Sequence, residues 1–95
     1  YAYTPLHIAA VKGNTDILQM LLDNKADINQ ADNNGLTALH YASERGHSNA
    51  VQLLLERGAK VNQTAHDKRT PLFMAVKYSH ADTIKLLIAN GAHVN

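Results

Sequence analysis

The chain has 95 residues, enough for one small domain, and 45% of it is apolar, mostly Leu, Ala, Ile and Val. It contains no Cys, which excludes disulfides and Cys-ligated metals and fits a reducing, cytoplasmic or nuclear compartment. A formal charge of +1, with no block of five like charges, provides no concentrated cationic face for nucleic acid. No apolar run approaches the roughly 18 residues that a membrane span needs, so no membrane contact is expected. The opening YAYTPLH carries no initiator Met, basic region or apolar signal core, and the chain reads as an excised or processed piece.

In chain order, Thr4-Pro5 opens a short helix over about 5 to 12, with a capping hydroxyl followed by Pro where no N–H is missed. Gly13 ends that helix. TDILQMLLDN follows as a second helix, with Thr15 as its expected cap and Asp16 at its positive end. Leu18, Met20, Leu21 and Leu22 form its broad apolar arc. After ADIN comes the polar QADNNGL, in which Asn34-Gly35 signals a tight turn. A helix from about 38 to Gly46 and a second helix, SNAVQLLLER, repeat the arrangement, with Ser48 as the expected cap. Val51, Leu53, Leu54 and Leu55 form the matching arc. AKVN and QTAHDKR lead to Thr70-Pro71, and ADTIKLLIAN, with Asp82 in its first turn, supplies the last helix.

These elements recur with a period of 33. Thr4, Thr37 and Thr70 are one period apart, as are Leu6, Leu39 and Leu72; Ala9, Ala42 and Ala75; and Asn29, Asn62 and Asn95. One unit cannot hide its apolar faces alone, whereas stacked units can. The repeated TPLHIAA and TALHYAS, the following Gly, the LLLERGAKVN segment and DNNG resemble the ankyrin-repeat family across essentially the whole chain. The resemblance implies an all-α solenoid of helix–turn–helix units joined by β-hairpin-like loops. The expected units are residues 1–33, 34–66 and 67–95, within a longer array. It also implies a module that binds another protein or peptide, without catalysis, cofactor or metal.

Six His residues raise a metal hypothesis. No close HxH, HExxH or His–carboxylate spacing supports it, so structural histidines are the better reading. In family terms, the ring of His7 and His40 hydrogen-bonds to hold the turn. Ser43, Ser48 and Ser79 lack a sequence-evident base and orienting group, and the five Gly residues fall at helix ends or turns. Asn62-Gln63-Thr64 matches a glycosylation triplet, but Asn62 also fills the repeat's own Asn column. The resemblance further allows β-hydroxylation at Asn29 and Asn62.

The resemblance places partner contacts on the loop tips and first helices of a concave face. In this sequence these are Tyr3, with Tyr1, on the first tip; Asn33, Asn34 and Leu36 on the next; and His66, Asp67 and Arg69 on the third. On the helices they are Lys12, Glu44 with Arg45, and Lys77 with Tyr78. A structural spacer inside a larger protein is the alternative function.

Four residues depart from the pattern. Lys25 stands where Gly58 and Gly91 end their helices, and Lys68 replaces the turn Gly of column 35, which puts the hairpin geometry of that tip in question. Phe73 and Ser79 replace the His and Gly of the earlier copies, with Phe73 expected to exchange a hydrogen bond for apolar contact. The last helix still reads as internal, so its end is expected to be covered, by further repeats or by end-to-end association of an otherwise monomeric chain.

Overall fold

The computed structural model describes residues 2–94. Tyr1 and Asn95 lie outside that range. Within it the chain forms α1 (Pro5–Lys12), α2 (Thr15–Asp23), α3 (Ala38–Glu44), α4 (Ser48–Glu56), α5 (Pro71–Lys77) and α6 (Ala81–Ala89), with no strand among the described residues. The starts of α1, α3 and α5 are one period apart, as are those of α2, α4 and α6. Helices of seven to nine residues are marginal in isolation, so stacking must stabilise them. The first helices pack in one layer, α1 on α3 on α5, and the second helices in another, α2 on α4 on α6.

One apolar core runs through all three units. Leu18, Leu54 and Leu87 lose all solvent exposure in the second-helix layer, and each such side chain contributes roughly 1.5–3 kcal/mol of transfer free energy. Ala9, Ala42 and Ala75 are buried in the first-helix layer, where only a methyl group separates neighbouring backbones. The apolar arc of α2 is narrower than its sequence suggests. Met20, inside that arc, is 58% exposed.

Helix starts follow local chemistry, with one correction. The Thr4 hydroxyl accepts from the His7 N–H at 3.3 Å, and the Thr70 hydroxyl from the Phe73 N–H at 3.1 Å. Thr15 and Ser48, however, are first helical residues rather than caps. Asn14 caps α2 through its side-chain oxygen, which accepts from the Ile17 N–H at 3.1 Å. The Ser48 hydroxyl instead meets that of Thr83 at 3.0 Å, one unit further on.

Backbone strain sits at the expected departures. Lys25, Lys68 and Ser79 adopt φ of 71°, 71° and 61° without being glycine. The tip containing Lys68 nevertheless keeps its hairpin form. Ala65 N–H donates to the Arg69 carbonyl at 2.8 Å and Lys68 N–H to the Ala65 carbonyl at 2.9 Å, matching the Asp32–Leu36 and Gly35–Asp32 bonds of the preceding tip. Phe73 does not gain the expected apolar contact, since it is 49% exposed on the outer side of the last unit.

Two substitutions test this account by urea denaturation. Lys25→Gly should raise unfolding free energy by up to about 1 kcal/mol, by removing a Cβ from left-handed backbone. Ser43 is fully buried and its hydroxyl has no hydrogen-bond partner. Ser43→Ala should therefore stabilise by about 1 kcal/mol, matching Ala10 one period earlier.

Candidate protein-interaction surface

The tips are held by histidines. Thr4 N–H donates to His7 Nδ1 at 2.9 Å, and a backbone N–H can only donate, so the ring carries its proton on Nε2. From there it reaches the carbonyls of Gln30 at 2.9 Å and Leu36 at 3.1 Å. His40 repeats the geometry, accepting from Thr37 N–H at 3.0 Å and donating to the Arg69 carbonyl at 3.0 Å. Burial, foremost, holds the His40 imidazole below its ordinary pKa, and the nearby Arg69 charge acts in the same direction. Each of these rings fixes its own helix start and the next tip together.

Asp32 organises the tip between the first two units. Its Oδ1 accepts from the N–H groups of Asn34 at 2.9 Å and Leu36 at 3.0 Å, while Oδ2 accepts from the Tyr41 hydroxyl. Burial raises its pKa, but these bonds outweigh burial and the carboxyl titrates below its usual range. Burial and the adjacent carboxylate push the Tyr41 phenol the other way, upward. In the next tip Ala65 replaces Asp32, and Asp67 substitutes by accepting from Arg69 N–H at 3.2 Å and pairing with its guanidinium. That pairing, chiefly, holds the Asp67 carboxyl low and raises the Arg69 guanidinium.

The predicted contact residues fall into exposed, half-buried and buried positions. Tyr3, Lys12, Asn33, Asn34, Arg45, His66, Asp67, Lys77 and Tyr78 are exposed on the first-helix layer and its tips, with Lys77 Nζ 5.6 Å from the Tyr78 ring centre. Glu44 and Arg69 are half-buried. Leu36 is a correction. It is only 6% exposed, because the bonds from Asp32 and His7 turn its side chain into the stack. Tyr1 lies outside the described residues.

An aromatic cluster on this surface went unnoticed in the sequence. Tyr3 stacks on His7 with centroids 5.5 Å apart and meets Tyr41 edge-on at 5.6 Å; Ile8 is exposed as well. The only sequence signal is the shared column of Ile8 and Tyr41. Asn29 and Asn62 have structural partners: Asn29 Oδ1 accepts from Lys60 N–H at 3.0 Å, and Asn62 Oδ1 from His93 N–H at 2.9 Å. No group of three or more His, Asp or Glu able to hold a metal forms among the described residues. No helix there is long and apolar enough to cross a membrane.

The family model described as ankyrin repeats (3 copies) matches residues 1–65, and that of a single ankyrin repeat matches residues 67–95. The chain belongs to the ankyrin-repeat family. A comparison with curated proteins finds no match. Ankyrin repeats are generally protein–protein interaction modules and typically non-catalytic, and the all-α stack of helix pairs is the ankyrin solenoid.

The His40 environment predicts a pH response. Its folded pKa lies below the ordinary 6.5, so the native state binds fewer protons than the unfolded chain in the interval between the two values. Its contribution is therefore complete above about pH 6.5 and is lost as pH falls through the folded value, at no more than about 1.4 kcal/mol per pH unit. Urea titrations from pH 7.5 to 5 should show falling stability. His40→Gln should be less stable at pH 7.5 and show a shallower slope.

Proposed function

We propose that this ankyrin domain is a non-catalytic module that captures a partner polypeptide on its concave face, formed by first helices and loop tips. The observation that supports this most is the column of Lys12, Arg45 and Tyr78. These side chains are all exposed, and all follow the buried face of a first helix. His7, His40 and Asp32 of the same layer are consumed internally by tip carbonyls and N–H groups, so the outer side chains are left for recognition. Exposed Tyr and Arg are the residue types that most often anchor interfaces. Lys77 beside the Tyr78 ring extends the surface, and Tyr3, Ile8 and Tyr41 add an apolar and aromatic end.

This reading favours a mixed partner segment with both acidic and apolar side chains. The test is capture from cell extract by the wild-type chain and by a Lys12→Ala/Arg45→Ala/Tyr78→Ala variant. The partners retained by the wild type should fall at least about tenfold in the variant, corresponding to the loss of about 1.4 kcal/mol. Thermal midpoint and helical circular dichroism should be unchanged, because these side chains are exposed. Equal capture by both chains would favour a spacer role.

A further inference from the structure

Two asparagines precede a glycine, Asn34 before Gly35 and Asn90 before Gly91. Such a pair is chemically labile. With no side chain on the second residue, its backbone nitrogen can reach the asparagine Cγ and displace ammonia. The fold nevertheless requires glycine at 35. Its φ is 80°, and a Cβ there would stand 2.7 Å from Cδ2 of the His66 ring. The next tip builds the same turn with Lys68 at φ 71°, so it carries no labile pair.

The two pairs are restrained in different ways. At Asn90 the side chain itself is tied, its Nδ2 donating to the Leu86 carbonyl at 2.9 Å at the end of α6. The Asn34 side chain is exposed, and its amide makes no comparable bond among the described residues. Its restraint lies in the backbone. The Gly35 N–H, the attacking group, donates to the Asp32 carbonyl at 3.0 Å, and the Asn34 carbonyl accepts from the His66 N–H at 3.0 Å. The Asp32 carboxylate takes the N–H groups of Asn34 and Leu36 and is itself held by the Tyr41 hydroxyl. Its charge also disfavours the amide anion through which the Gly35 nitrogen would attack.

We propose that Asn34 is a site of spontaneous deamidation in the native protein, and that Asp32 is the catch that sets its rate. When the tip opens locally, solvent hydroxide removes the Gly35 amide proton and the nitrogen attacks Asn34 Cγ. A C–N bond forms, the side-chain nitrogen takes a proton from water and leaves as ammonia, and a five-membered succinimide remains. Water then adds to either succinimide carbonyl, leaving aspartate or isoaspartate at position 34. One water is consumed and one ammonia released, with no oxidation or reduction.

Both products place a new carboxylate on the tip that Asp32 organises. In isoaspartate the chain runs through the former side chain, so the carbonyl that accepts from the His66 N–H leaves the peptide backbone. That bond joins neighbouring tips. Modification therefore changes the charge of the tip and its link to the next unit. This chemistry belongs to the tip alone and stands independently of partner capture.

Incubation in mildly alkaline buffer, followed by peptide mass spectrometry that resolves the isoaspartate form, provides the test. The native wild type should show the amide-to-acid mass shift at Asn34. Asp32→Ala should quicken this at least about tenfold while Asn90 keeps its rate, because only the tip is released. The turn itself should persist in that variant, as it does at Ala65. In urea the two chains should react alike at Asn34, since no tip then remains. Should Asp32→Ala lose its helical circular dichroism, Tyr41→Phe frees the same carboxylate from outside and should quicken Asn34 in the same direction. The proposal is overturned if native Asn34 stays unmodified or if a folded variant leaves its rate unchanged. It is equally overturned if Asn90 accelerates as much as Asn34, which reports global unfolding.

Discussion

The structure depends on a neutral imidazole that bonds in two directions. His7 and His40 each accept from the N–H that begins their own helix, and each donates to the carbonyl chain of the following tip. The two bonds require opposite roles from the two ring nitrogens, so one tautomer satisfies both and a protonated ring cannot. Local helix initiation is thereby tied to stacking between units. Each helix is too short to persist alone, and the ring connects its start to the neighbour that stabilises it.

The tips show how one backbone form survives different side chains. Around residues 32 to 36 the hairpin rests on Asp32, which satisfies two N–H groups and the Tyr41 hydroxyl. Around 65 to 69 the same backbone bonds persist with Ala65, while Asp67 and Arg69 pair outside the turn and Lys68 takes the left-handed position. The first arrangement buries its carboxylate, whereas the second exposes that of Asp67 and leaves Arg69 half-buried. Charge therefore becomes available on the second tip without a change of fold, which suits a surface used for recognition.

Much of the fold was legible because its signals are local and repeated. Thr-Pro starts, glycine ends, small alanines and leucine columns recur at one spacing, and the structure places each accordingly. The candidate surface was only partly legible. Leu36 lies in a loop, yet its side chain is buried because Asp32 accepts from its N–H and His7 donates to its carbonyl, fixing the backbone on both sides of its Cα. Tyr41 and Asp32 are nine residues apart, with no motif announcing their bond. Thr15 and Ser48 have good capping chemistry, but Asn14 takes the cap of α2 and the Thr83 hydroxyl engages that of Ser48.

The sequence by itself determined the period, the helix pairs, the family and the places where the pattern breaks, because capping, turn chemistry and apolar spacing act over a few residues. Tertiary structure decided what each break does. Whether Lys68 keeps its turn was decided by the bonds between Ala65 and Arg69, and what His7 and His40 hold depends on what the neighbouring unit presents a full period away. That distance is invisible to local chemistry. It is set only when the stack closes and one unit's side chains become another unit's surroundings.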